Sequence, residues 1–245
     1  MNASLHDALR SACAEVNIVY RDVPADGRWY ETDVDGDRRG RGDGRIKLFP
    51  DGEGGIVCNW KGETRPFFAD DDPTLTEAER AERDHKRQAV IRQAREEEAR
   101  RRAEAARKAA AIWQAAQPAP EDHSYLRRKG IKPHGARVGA DGWLLIPMRD
   151  AAGRLWNLER IAPEKPADGG TDKKGLYQGK RTGCYFSIGS TKGAAALCIA
   201  EGFATGASIH QATGYPVAVA FNAGNLAAVA KALREKYPDM RLTRV

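Results

Sequence analysis

The chain has 245 residues, of which 41% are hydrophobic and 30% charged, and its formal net charge is +6. A mean hydropathy of −0.61 and the absence of any run of about 18–20 apolar residues argue against a membrane-spanning protein. The basic balance suits a polyanionic partner, and a basic protein without such a partner is the alternative. The cysteines (Cys13, Cys58, Cys184 and Cys198) form no C-x-x-C pair, so we expect reduced thiols, no zinc site and a cytoplasmic protein.

Residues 1–68 are predicted to form a small α+β module at the amino terminus. Leu5, Leu9 and Cys13 are spaced to lie on one face of a helix. Short apolar runs separated by glycine-rich turns follow and are typical of strands, at residues 27–30, 45–49 and 55–61.

A basic loop within this module, at residues 36–45, is a candidate nucleic-acid contact. It carries four arginines, Arg38, Arg39, Arg41 and Arg45, between aromatic residues. Cations beside aromatic rings suit the phosphate backbone and the stacked bases of nucleic acid. A solvated hairpin loop is the alternative.

Residues 74–117 are predicted to form one long charged helix, which connects the module to the rest of the chain. Thr76 and Glu79 have the spacing of a capping box, and no glycine or proline follows until Pro118. Such a helix would be about 60 Å long at about 1.5 Å per residue. Its apolar positions are sparse, which favours a solvated spacer held by i,i+4 ion pairs. A basic arm lying along nucleic acid is the alternative.

Residues 121–245 alternate between strand-like and helix-like segments, which favours an α/β fold. A β-rich part, residues 121–192, contains a hairpin with its turn at residues 150–153 and a short strand at residues 183–188. The part at 193–245 has strands at 196–200, 217–221 and near Arg241, and helices at 203–213 and 226–237. Short links between alternating strands and helices predict a parallel sheet with right-handed crossovers.

Polar residues follow two strands of this predicted sheet, where each strand ends. Glu201 follows the apolar run 196–200, and the loop Asn222–Asn225 follows the next strand. In a parallel sheet both lie on one edge, which is where open α/β sheets bind ligands. Gly224 would let a ligand approach the backbone closely, and Asn225 would cap the next helix. For Glu201 the alternative is a helix N-cap carboxylate.

These segments resemble the Toprim domain of phage- and plasmid-type DNA primases and primase-helicases. The resemblance rests on Ile-Ala-Glu-Gly-Phe-Ala-Thr at 199–205 and Val-Ala-Phe-Asn-Ala-Gly-Asn-Leu at 219–226. It extends upstream through residues 123–131, 145–153, 157–161 and 174–179. It covers residues 121–245 well and residues 1–117 more loosely.

The resemblance implies a nucleotidyltransferase that makes RNA primers with Mg²⁺ or Mn²⁺ during the replication of phages, plasmids or other mobile elements. Glu201 would then be the acid of the first strand, acting in metal binding and proton transfer. Arg160, Lys174, Lys180 and Arg181 would grip phosphates of the template or the nucleotide. Single-stranded DNA, nucleotides and a helicase domain or other replication protein would be the partners, and no membrane.

The sequence departs from the family pattern at its carboxyl end. The next strand of the family ends in an Asp-x-Asp pair, whereas residues 240–245 begin that strand and reach no acid. We therefore expect an incomplete Toprim sheet, weak or absent Mg²⁺ binding at Glu201, and an incomplete or inactive form of a primase. A non-catalytic nucleic-acid-binding or regulatory module and a Toprim nuclease are the alternatives.

Overall fold

The computed structural model describes residues 3–36, 40, 42–60, 62–70, 74–167 and 170–245. It divides into two compact units, Met1–Arg101 and Arg102–Val245, and each is described by itself. Arg38, Arg39 and Arg41 of the predicted basic loop lie outside the described residues. The domain boundaries drawn from the sequence stay a prediction.

The first unit contains a short helix, a four-stranded antiparallel sheet and the first part of the long helix; its fourth strand was not among the strands predicted from the sequence. The elements are α1 (Ala3–Glu15), β1 (Tyr30–Thr32), β2 (Gly44–Leu48), β3 (Gly54–Asn59) and β4 (Thr64–Phe68), and the strands lie in chain order. The predicted helix face is buried, with Leu5 and Leu9 at 1% exposure or less. It packs in one apolar core with Ile46, Leu48 and Val57 from the sheet.

The long helix, α2, spans Glu77–Ala115. The capping box forms as predicted, since Thr76 N donates to Glu79 Oε2 (2.9 Å) and Glu79 N donates to Thr76 Oγ1 (3.3 Å). The helix surface also carries i,i+4 ion pairs of the predicted kind, such as Lys86 with Glu82 at 2.8 Å. These contacts stabilise a helix that has little apolar surface.

Within the first unit, two arginines attach α2 to aromatic rings of the module. The guanidinium of Arg87 lies 5.2 Å from the ring centroid of Phe68 and donates to the carbonyl oxygen of Ala69 at 2.8 Å. The guanidinium of Arg101 lies 5.6 Å from the ring of Trp60. Guanidinium groups on aromatic rings therefore attach to the module a helix that has few apolar residues.

The second unit contains an antiparallel sheet of five strands. They are β5 (Gln117–Pro118), β6 (Arg137–Val138), β7 (Leu144–Arg149), β8 (Leu155–Ile161) and β9 (Lys173–Gly175), in chain order across the sheet, with helix α3 (Ser124–Lys129) between β5 and β6. β7 and β8 form the predicted hairpin. Its turn is held by Asp150 Oδ1, which accepts from the backbone N–H groups of Ala152 and Arg154.

A second sheet follows in the same unit and contains the predicted parallel strands. Its elements are β10 (Phe186–Ile188), β11 (Ala196–Ala200), α4 (Phe203–Thr213), β12 (Val217–Val219), α5 (Leu226–Lys236) and β13 (Arg241–Arg244). The strand order is β10-β12-β11-β13, with β11 parallel to both β12 and β13. β10 is antiparallel to β12, an orientation that the sequence did not indicate.

Side chains of β11 and β12 alternate between two apolar layers. Cys198, Ala200, Val217 and Val219 share a core with α4 and with one face of the antiparallel sheet, which we call the inner face and which carries Ile146, Met148 and Ile161. The residues between them on β11 and β12 pack instead with α5. The parallel strands are therefore buried on both faces, as expected for a sheet covered by crossover helices.

Candidate functional site

Glu201 lies at the carboxyl end of β11 and is exposed to solvent. Among the described residues it has no ion-pair or hydrogen-bond partner. The N-cap of α4 is Gly202, which has extended backbone and no side-chain capping bond. The alternative that Glu201 serves as the N-cap is therefore wrong, and its carboxylate is open to a ligand.

The loop after β12 lies on the same edge of the sheet, because β11 and β12 are adjacent and parallel. It begins at Phe221, a non-glycine residue in the left-handed region (φ 74°). Asn222 then accepts a hydrogen bond from the backbone N–H of Asn225 through its side chain (2.9 Å). The strained backbone of Phe221 and the turn capped by Asn222 together bend the chain sharply beside Glu201. Gly224 is exposed within this turn.

Asn225 has a different role from the predicted helix cap. It is only 4% exposed and makes no side-chain capping bond to α5. Its Oδ1 accepts from Gly183 N (2.8 Å), and its Nδ2 donates to Cys184 O (3.0 Å) and Ala220 O (2.8 Å). The prediction of a capping side chain at Asn225 is therefore wrong: Asn222 supplies the capping side chain, while Asn225 fastens the segment before β10 to the end of β12.

Arg160 and Lys174 are brought together on the face of the antiparallel sheet opposite the inner face, which we call the outer face. They are cross-strand partners on β8 and β9. Both lie near the indole of Trp143, with the Arg160 guanidinium 4.9 Å and the Lys174 Nζ 5.7 Å from the ring. Arg160 also pairs with Asp141. Two cations and an indole form one surface that suits a phosphate and a stacked base.

Lys180 lies in a second cluster of the same composition, around Trp156 of β8. Its Nζ is 5.0 Å from the indole, and the Arg154 guanidinium is 4.0 Å from it. The indole N–H donates to Asp150 Oδ2 at 2.7 Å. Burial alone would raise the pKa of Asp150, but hydrogen bonds from Trp156 and from two backbone N–H groups outweigh it and hold the pKa below its ordinary value.

Arg181 is separated from Arg160 and Lys174, because its guanidinium lies against Gly175 of the inner face. Lys173 shares that inner face, and its Nζ lies 3.7 Å from the position that a Cβ on Gly202 would occupy. The inner face also buries a carboxylate, that of Glu159 (4% exposed). Sequence reasoning missed Lys173, Glu159 and the two tryptophans. The alternation of side chains along β8 was the available signal, because it places Glu159 on the same side as Ile161.

Arg45 is the one arginine of the predicted basic loop that the structure describes. It pairs with Glu31 at 2.8 Å and lies 5.7 Å from the ring of Trp60. Its guanidinium also donates to the carbonyl oxygens of Gly42 and Gly44. These bonds hold Arg45 within the first unit, so a nucleic-acid contact there stays a prediction.

No group of three or more histidine, cysteine, aspartate or glutamate side chains that could hold a metal ion occurs in the described part of the chain. Mg²⁺ prefers six oxygen ligands and is usually held by one or two carboxylates together with water and phosphate. Glu201 fits the role of one such ligand, not of a whole site. Among the described residues, no helix is long and apolar enough to cross a membrane.

Comparisons with known proteins agree with this geometry. The family model "Toprim domain" matches residues 195–244, which contain β11, Glu201 and the loop after β12. Two proteins described as "DNA primase TraC", both from Escherichia coli, are 30% identical over 220 residues and 33% identical over 228 residues. Each alignment covers 87% of this chain but only 20% and 15% of the respective relative. No solved structure matches the chain. Residues 195–244 therefore form a Toprim domain, and most of the chain is similar to a part of DNA primase TraC.

Proposed function

We propose that this chain acts in the primase reaction of plasmid or phage replication, where it binds single-stranded DNA and nucleotides and supplies one acid for primer synthesis. The observation that carries the proposal is the exposed Glu201 at the end of a parallel strand within the Toprim match. The similarity to DNA primase TraC over most of the chain supports the same reaction class. A cytoplasmic location and a helicase or other replication partner belong to this proposal.

Primer synthesis joins a primer hydroxyl to the α-phosphorus of a nucleotide and releases pyrophosphate. When bound, Mg²⁺ or Mn²⁺ would neutralise phosphate charge and orient the attacking hydroxyl. Glu201 would contribute one oxygen ligand to that ion, or accept the proton of the hydroxyl. Asn222 and Gly224 would place the backbone of the neighbouring loop against the same ligand, because both lie on the same edge of the sheet.

The basic residues would hold the nucleic acid. Arg160 and Lys174 lie beside the indole of Trp143 on the outer face, and Lys180 lies beside the indole of Trp156. Phosphate contacts from cations supply most of the affinity for nucleic acid, and stacking on an aromatic side chain adds about 1–3 kcal/mol per base. We infer that the template strand runs across these two clusters.

Primer synthesis on single-stranded DNA, with ribonucleotides and Mg²⁺ or Mn²⁺, tests the proposed reaction. The assay compares this chain with a form extended through a following strand that ends in Asp-x-Asp. We expect both forms to bind DNA, primers from the extended form, and none from it after Glu201→Gln. Primer synthesis that survives Glu201→Gln would refute the role given to this acid.

A non-catalytic nucleic-acid-binding module is the second candidate, because the two indole–cation clusters are built without Glu201. It predicts DNA binding that needs no divalent metal and is unchanged by Glu201→Gln. Primer synthesis by the extended form would then be absent under all metal conditions. The same assay therefore separates the two candidates.

A further inference from the structure

Glu159 is a carboxylate buried in an apolar layer. It is 4% exposed on the inner face, its cross-strand partner is Ile146, and Ile161 follows it on the same face of the strand. Within the described residues its Oε2 has no hydrogen-bond partner. Burial raises the pKa of this carboxyl group, and the attraction of Lys173 and Arg181 partly opposes that rise. A buried carboxylate without direct partners costs stability, so its retention needs a reason outside the core.

Two cations share the inner face with Glu159. The cross-strand partner of Glu159 on β9 is Gly175, and the Arg181 guanidinium occupies the space that a side chain at Gly175 would fill. Lys173 is two residues from Gly175 on the same strand, so its side chain projects from the same face. Among the described residues, neither Lys173 nor Arg181 makes an ion pair within 4.0 Å, so the N–H donors of both cations remain available.

The same cations are tied to the Toprim edge. Lys173 Nζ reaches Gly202, the residue after Glu201. Arg181 precedes Gly183 by two residues, and the Gly183 N–H is bound by Asn225 of the neighbouring loop. The segment that carries Arg181 is thus fastened to the edge on which Glu201 lies.

We propose that Glu159 is a positioning residue that holds Lys173 and Arg181 at this edge to receive the polyphosphate of a nucleotide. Attraction to the buried carboxylate keeps the side chains of Lys173 and Arg181 on the inner face, whereas solvation alone would draw them outward. Two cations share the inner face with one carboxylate, and this excess of cationic groups favours an anion. This inference rests on the proposed function and adds the part of the site that takes the nucleotide.

A double-mutant cycle on ligand affinity tests the inference, with ATP and inorganic tripolyphosphate as probes. Glu159→Gln removes the charge with little change in shape, and Arg181→Met removes one cation. We expect Glu159→Gln to weaken ATP and tripolyphosphate about 10-fold. In the Arg181→Met background, Glu159→Gln should weaken the binding of both probes less than 3-fold, because one of the two cations that Glu159 positions is already absent. Glu164→Gln, which removes an equal charge from an exposed side chain, is the control and should leave both affinities unchanged.

Stability and DNA binding separate this role from a structural one. Affinities unchanged by Glu159→Gln, or equal losses in both backgrounds, would overturn the inference. If Glu159→Gln lowers the melting temperature, Glu159→Asp serves as a second variant, because it keeps the charge on a shorter side chain. The inference fails unless Glu159→Asp retains at least half of the affinity that Glu159→Gln loses. If both probes bind equally well to wild type and to Glu159→Gln while primer synthesis still depends on Glu201, this inference fails and the proposed function stands.

Discussion

Replacing Asn225 with alanine tests how the Toprim edge is assembled. The substitution removes three hydrogen bonds of 2.8–3.0 Å, and the side chain that makes them is 4% exposed. The N–H of Gly183 and the carbonyl oxygens of Cys184 and Ala220 lose these partners. At about 1 kcal/mol for each bond, the expected loss of unfolding free energy is about 3 kcal/mol. For a chain of this size that corresponds to a melting temperature lower by about 6–12 °C.

Thermal and urea unfolding, followed by circular dichroism, measure this loss. Asn222→Ala is the matched control, because it removes one amide on the same loop and the single hydrogen bond that Asn225 N donates to this amide. It should lower the unfolding free energy by about 1 kcal/mol. Asn225→Asp should be at least as harmful as alanine, since a carboxylate would face two carbonyl oxygens. A loss below about 1 kcal/mol for Asn225→Ala, or one equal to that of Asn222→Ala, would refute the fastening role.

Three further predictions follow from single contacts and pKa shifts. Gly175→Ala should destabilise the protein by about 1 kcal/mol or more in urea unfolding and weaken ATP binding, because a methyl group there overlaps the Arg181 guanidinium; unchanged stability would contradict that contact. Burial raises the folded-state pKa of Glu159 above the ordinary value of 4.5, so the folded state holds the proton of Glu159 more tightly than the unfolded state does. The contribution of Glu159 to the free energy of unfolding therefore falls as the pH rises from about 4.5 through the raised pKa. Urea titrations at several pH values give the free energy of unfolding as a function of pH. The fall due to Glu159 should be absent in Glu159→Gln, and the same pH dependence in both proteins would contradict the burial of this carboxyl group. Burial raises the pKa of the Cys13 and Cys184 thiols to about 11. Iodoacetamide at pH 8 should therefore modify both thiols far more slowly in folded than in unfolded protein. Equal modification rates, measured by mass spectrometry, would refute this prediction.

Local patterns in the sequence were sufficient to predict much of the fold. The apolar run 196–200 ending in an acid predicted β11 and the position of Glu201, because a buried parallel strand is continuous in hydrophobicity. The capping box at Thr76 located the start of α2, because both partners lie within one helical turn. In each case the information lies within a few consecutive residues.

Contacts between distant segments could not be predicted in the same way. The side chain of Asn225 binds backbone groups 41 and 42 residues away, and nothing in its neighbourhood distinguishes it from a helix cap. The antiparallel direction of β10 is set by its pairing with β12, which lies beyond an intervening strand and helix. The separation of Arg181 from Lys174 likewise depends on which face of β9 each side chain meets.

Salt-dependent binding of single-stranded DNA tests the central claim, that the indole–cation clusters of this Toprim-domain chain hold nucleic acid. Fluorescence anisotropy across a range of salt would compare wild type with Arg160→Gln/Lys174→Gln. Lys86→Gln/Lys108→Gln, which removes the same charge from exposed positions on α2, is the control. Loss of two phosphate contacts should make the slope of log K against log salt shallower by about 1.4, with little change in the control. Equal changes in both variants, or no binding by wild type at low salt, would contradict the account.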